Sequence, residues 1–237
     1  MLEGGGVPNI VIKNTSILEL QSEELKNIKP VKQKPVVAIY PNSFVDYTGQ
    51  RKSNGQFALF STAITQAPDA FLIRALKHSG NGKFWTVVER VGLDSLTKER
   101  QIIRSTRDSF EEDSTVKPLI FAGLLMQGGV LSYDTNILSG GAGARYLGIG
   151  SSTQYREDLI TVSLRLVSVS TGEILIETSA QKSLLSVAIS QDIFRFLDEG
   201  QRLIEVENGK AQNESTSLVL QLAIEECVLD IIKQGIQ

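Results

Sequence analysis

From Leu159 to Leu166 apolar and polar positions alternate without a break, with Ile160, Val162, Leu164 and Leu166 on one side and Thr161, Ser163 and Arg165 on the other. A period of two predicts a strand with one buried face. Ser170-Thr171-Gly172-Glu173 has the composition of a hairpin turn, so Ile174 to Leu185 is expected to return antiparallel. Further strands are predicted at Val36 to Tyr40, at Phe84 to Arg90, and at Leu119 to Val130, the last interrupted by Gly128-Gly129. Helical spacing occurs at 67–78, where Phe71, Leu72, Ala75 and Leu76 form a stripe behind Pro68. It recurs at 92–107 (Leu93, Leu96, Ile103) and at 216–233 (Leu220, Ile224, Cys227, Val228, Ile231). Pro41 to Gln56 carries the turn formers Asn42, Gly49, Asn54 and Gly55 and reads as a loop. Residues 7–34 mix Lys, Glu, Asn and Pro with short apolar runs, which fits an extended arm wrapping a neighbour, or a tail. The mixture implies an α/β domain.

Two stretches depart from this pattern. Ser139 to Tyr155 is too glycine-rich for a helix, and it lies between strand-like residues, so it reads as a β-hairpin corner. Ser186 to Glu207 sets Phe194, Phe196, Leu203 and Ile204 around a polar centre, Asp198-Glu199-Gly200-Gln201. Periodicity alone also allows helix from Ser190 to Leu197.

Composition narrows the function classes. With 237 residues, 41% hydrophobic and 22% charged, the chain has the content of a globular protein. A net charge of -3 with scattered Lys and Arg gives no basic footprint, so nucleic acid is not an expected partner. One cysteine, Cys227, and one histidine, His78, cannot form a disulfide or a Cys/His metal cage, and no cofactor is expected. Cys227 falls on an apolar helical seam and is expected in the core, while His78 is expected as a solvated residue at a helix end. No apolar run reaches 18 residues, which excludes a spanning helix but not barrel strands.

The glycine stretch fails as a phosphate cradle. Tyr146 stands where a dinucleotide fingerprint needs a small residue, Ile149-Gly150 follows Gly148 where a P-loop needs Lys-Ser/Thr, and no helix is expected after it. No His accompanies a Ser nucleophile, and the carboxylate pairs Glu111-Glu112, Asp198-Glu199 and Glu225-Glu226 read as surface or turn residues, so an enzyme is not expected.

The strings VLSYDTNILSGGAGARYLGIGSSTQYREDLITVSLRLVSVSTGEIL and IFRFLDEGQRLIEVE carry a resemblance. With Thr48-Gly49-Gln50, Phe60-Ser61-Thr62-Ala63 and Trp85 to Arg104, the chain after about Pro35 resembles the CsgG family, the curli production assembly/transport component. The resemblance implies an anticodon-binding-domain-like periplasmic α/β domain at 35–131, 158–183 and 211–237. It implies two inserted transmembrane hairpins at 132–157 and 184–210, with 1–34 as an arm. Copies in a ring of about nine would close one barrel of ~36 strands in the bacterial outer membrane. Unfolded curli-type subunits would diffuse through it without an energy source, aided by periplasmic and cell-surface accessory factors. The family's exported lipoproteins begin at an acylated Cys, which is missing here, so either Met1 to Gly6 is an engineered or processed start, the favoured reading, or the chain departs from the family.

In that family a loop after the first strand stacks an aromatic, an amide and a second aromatic residue into the pore constriction. Phe60 matches the last and Leu59 stands at the amide. Asn54 or Gly55 stands at the first aromatic, with Phe57 a stand-in. On the hairpins, Tyr133, Ile137, Leu147 and Ile149 are expected on one face and Asp134, Asn136 and Ser152 on the other, with Phe194 and Phe196 in the second hairpin. The alternative is a soluble periplasmic lipoprotein that regulates another envelope assembly.

Overall fold

The computed structural model describes residues 17–48, 67–140, 150–192 and 201–235. A six-stranded sheet carries the fold: β1 (Val36–Ala38), β2 (Phe44–Asp46), β3 (Thr86–Val88), β4 (Leu124–Gly140), β5 (Gly150–Ser168) and β6 (Ile174–Asp192). Its order is β3-β1-β4-β5-β6, with β2 also on β4. β1 and β2 lie end to end along one edge of β4, both parallel to it. β4, β5 and β6 form an antiparallel meander. The turn between β5 and β6 forms where the sequence places it, with Gly172 at a φ of 73° and its N–H donating to the Ser168 carbonyl at 2.9 Å.

The helices are α1 (Glu23–Lys26), α2 (Asp69–His78), α3 (Leu93–Ser109) and α4 (Gln201–Gly235). α4 packs on β5, β6 and α2 because Leu220, Ile224, Cys227, Val228 and Ile231 recur at helical spacing and are all buried. They meet Ile160, Val162, Leu164 and Leu166, the apolar side of the β5 alternation, and Leu72, Ala75 and Leu76 of α2. Burial of these side chains is worth about 1.5–3 kcal/mol for each large aliphatic one. Cys227 is fully inside, its Sγ 3.7 Å from the Val162 carbonyl, and His78 is exposed at the end of α2. α3 buries no residue, so its charges are solvated as expected.

Several elements differ from expectation. Leu119 to Gly123 is not strand, and Phe121 is 83% exposed; β4 begins at Leu124, where β1 first offers a partner at Val37. The Gly128-Gly129 pair does not interrupt β4. Gly129 admits β2, since a Cβ there would collide with the Val45 carbonyl oxygen, and Gly128 admits the close approach of β5, where a Cβ would collide with the Ser163 carbonyl oxygen. β2 lies inside the stretch read as loop. The arm also differs, because residues 17–34 lie on their own domain, with Leu20 and Leu25 in its core. Finally, α4 starts at Gln201, so 201–210 is helix where the returning strand of a second hairpin was expected. In a single chain that segment has no described strand to pair with, and its Gln, Arg, Leu, Glu and Lys content favours the local hydrogen bonds of a helix.

Candidate functional site

β4, β5 and β6 run for 17, 19 and 19 residues, well beyond the usual strand of 5–6. Among the described side chains, those in the core lie in the lower part of these strands. Toward the β4–β5 turn the last core residues among the described side chains are Tyr133 and Ile160, which are register partners. Past them the three strands continue together, from Tyr133, Ile160 and Lys182 to Gly140, Thr153 and Ile189, and β5 and β6 pair on to Gly150 and Asp192. The ten residues from Leu159 back to Gly150 match the ~10 that a tilted strand needs to cross a bilayer.

A bulge marks the exit from the domain. Pairing steps from Val130↔Val162 to Ser132↔Thr161, leaving Leu131 as the extra residue, half exposed at 50%. The bulge reverses the parity of β4, so Tyr133 rather than Ser132 continues the buried side. β2 stops here, with Asp46 opposite Val130. Among the described residues, β4 beyond Val130 and β6 along its length therefore pair on one side only, and the extension has two open edges.

A polar cluster holds the domain beneath. The Glu225 carboxylate, 1% exposed, accepts main-chain N–H bonds from Gln21 at 2.9 Å and Ser22 at 2.7 Å, and one from Gln221 Nε2 at 2.6 Å. Gln221 Nε2 and Arg74 Nη2 donate to the Glu19 carbonyl at 2.8 and 2.7 Å. The arm is thereby fixed to α4 and α2. Glu225 is not the surface residue its sequence suggested; its position between Ile224 and Val228 on the apolar seam was the available signal. Its neighbour Glu226 is exposed.

The profile of the curli production assembly/transport component CsgG matches residues 19–237. The chain belongs to the CsgG family. The curli production assembly/transport component CsgG of Salmonella typhimurium is 38% identical over 234 residues, covering 97% of this chain and 82% of that one. Its counterpart in Escherichia coli K12 is 39% identical over 218 residues, covering 90% and 76%. Among solved structures, the PelC dodecamer from Paraburkholderia phytofirmans aligns over 85% of this chain and 91% of its own, at 11% identity and a TM-score of 0.32. The hypothetical protein CT253 from Chlamydia trachomatis aligns over 84% and 96%, at 13% identity and a TM-score of 0.41.

In this CsgG-family chain the expected hairpin residues divide. Tyr133 is core, 1% exposed, because register pairs it with Ile160 beneath α4. Ile137 lies on the extension opposite Arg156. Ser152 shares the sheet face of Ile137 and not that of Asn136, since pairing sets Ile137 against Arg156 and Ser152 lies four residues along β5. Leu147, Ile149, Phe194 and Phe196 lie outside the described residues, as do Asn54, Gly55, Phe57, Leu59 and Phe60. The glycine stretch Ser139 to Tyr155 is flanked by strands on both sides, the wrong setting for a phosphate at a helix N-terminus.

Proposed function

We propose that this chain is one subunit of an outer-membrane pore that conducts unfolded curli-type amyloid subunits from the periplasm to the cell surface. The observation that carries the proposal is the sheet extension, bilayer-long and open at both edges. In lipid, unpaired N–H and C=O groups each cost several kcal/mol, roughly, so such an extension is stable only when neighbouring copies close it. By the family's pattern about nine copies give four strands each to a barrel of ~36. The fourth strand comes from 201–210, which exchanges helix for strand when a neighbour's edge becomes available. Gly209 weakens the helix there.

The α/β domain then stands in the periplasm as a vestibule. Passage needs no cofactor or energy source, and partners are the unfolded cargo and curli accessory factors. The loop around Asn54 to Phe60 forms the constriction, where a circle of Phe60 side chains admits an extended chain and excludes folded ones.

The test is to extract the protein from outer membranes in detergent, size it, and record it in planar bilayers. A ring that conducts in discrete steps, and whose conductance rises in Phe60→Ala, supports the reading. A small detergent-independent monomer without conductance overturns it in favour of a soluble periplasmic regulator.

A further inference from the structure

Within the domain the meander has one apolar and one polar side. Val162, Leu164 and Leu166 lie under α4, while the opposite side is a hydrogen-bonded polar surface. There Ser132 Oγ donates to Thr161 Oγ1 at 3.0 Å, Ser163 Oγ to Glu177 Oε1 at 3.0 Å, and Arg165 Nε to Gln127 Oε1 at 3.3 Å. Continued past Ile160, a sheet covered from the same side would keep this pattern.

It does the reverse. The face that continues Val162 and Ile160 passes through Asp158, Arg156 and Gln154 on β5, whose register partners are Thr135, Ile137 and Ser139 on β4 and Leu184, Ser186 and Ala188 on β6, followed by the Ser152–Ser190 pair. The face that continues Thr161 first holds two mixed rows, Asp134-Leu159-Ser183 and Asn136-Glu157-Leu185, and then comes to Leu138, Tyr155 and Val187 in one row, followed by Thr153 and Ile189. After these mixed rows, from Tyr155 and Gln154 onward, the apolar and polar sides are exchanged while the pairing runs on unbroken. An exchange of this kind requires the apolar surroundings to change sides, as they do where a sheet leaves a core and enters lipid.

We infer that the face carrying Asp158 and Arg156 lines the lumen of the pore, where these two residues of each copy form an anionic and a cationic row next to one another, between Lys182 at the domain end and Asp192 at the far end of the same face, and set the charge selectivity of the channel. This inference rests on the proposed pore. The two residues are two positions apart on β5, so their rows lie ~7 Å apart along the strand, with Asp158 nearer the domain. An ion or a charged segment of a passing polypeptide meets them in turn. Glu157, between them in sequence, lies on the opposite face beside Asn136 and Leu185.

Reversal potentials in a KCl gradient across planar bilayers test the assignment on the assembled protein. Arg156→Gln should raise the potassium-to-chloride permeability ratio, Asp158→Asn should lower it, and Glu157→Gln should leave it unchanged. Gln154→Glu keeps both charges and should raise the ratio, which preserves the test should Arg156→Gln fail to assemble. If the wild-type chain yields no channels, the pore itself falls. If it conducts but Glu157→Gln shifts the ratio while Arg156→Gln and Gln154→Glu do not, the pore stands and the lumenal face is the other one.

Discussion

The main-chain N–H of Ser22 donates to Oε2 of Glu225 at 2.7 Å, joining residues 203 apart in sequence. Ser22 is also the N-cap of α1, its Oγ accepting from Leu25 N–H, so the same residue starts the helix that inserts Leu25 into the core. Glu225→Ala would strand the N–H groups of Gln21 and Ser22 in a part-buried site. The expected loss is about 2–3 kcal/mol of stability in urea unfolding, with proteolysis near 17–28 in the native protein. Glu225→Gln retains an acceptor oxygen without the charge and should lose only about 1 kcal/mol. Equal effects of the two substitutions would mean that packing, not hydrogen bonding, holds the arm.

The glycine pair in β4 makes a sharper prediction. A Cβ on Gly128 overlaps the Ser163 carbonyl oxygen and comes within 2.9 Å of Leu164 Cδ2, so a backbone atom has to move. Gly128→Ala should cost about 3 kcal/mol or more, seen as a lowered urea midpoint or loss of folded protein. Gly123→Ala meets nothing within 4 Å and should stay within about 0.5 kcal/mol of wild type.

These residues show which parts of the fold a sequence reveals. Local periodicity located the buried side of β5 from Ile160 to Leu166, the turn at Gly172 and the place of Cys227, since each depends on neighbours a few residues away. β2 has three residues, too few for a period, and exists because Phe44 to Asp46 meets Gly128 to Val130 more than 80 positions on. The seam position of Glu225 signals its burial, but its partners Gln21 and Ser22 were hidden for the same reason. The exchange of faces past Ile160 needed the register of three strands, which no single strand's alternation supplies.

Cys227 links the fold to pH. Burial, the largest cause, raises its thiol pKa from 9.0 to about 12, against a smaller opposing hydrogen bond involving Ala180. The folded state therefore holds its proton where the unfolded thiol has lost it, and stability falls as pH rises from about 9 toward about 12. Below pH 9 this contribution is fully present. The native thiol should not react with a disulfide reagent at pH 8, and should react at once in denaturant. Rapid native labelling would place Cys227 outside the core. An inert Cys227 also allows cysteine scanning of the extension in the wild-type background.

The last prediction concerns the helical segment 201–210, for which conversion to a strand is proposed. α4 runs 35 residues, but its core contacts begin only at Val219 among the described side chains, and Gly209 lies within its first half. In a helix interior, Gly costs about 1 kcal/mol relative to Ala, so Gly209→Ala should favour helix over 201–210. If that segment supplies the fourth strand, Gly209→Ala slows or reduces ring formation in detergent while leaving the domain's urea midpoint nearly unchanged. Gly209→Val, with higher strand propensity, should assemble at least as well as Gly209→Ala. The comparison separates conversion from simple damage, since both substitutions add a side chain at one place and differ mainly in the backbone they prefer. Faster assembly of the Ala variant would mean that 201–210 enters the ring as helix, and that the remaining strand comes from another part of the chain.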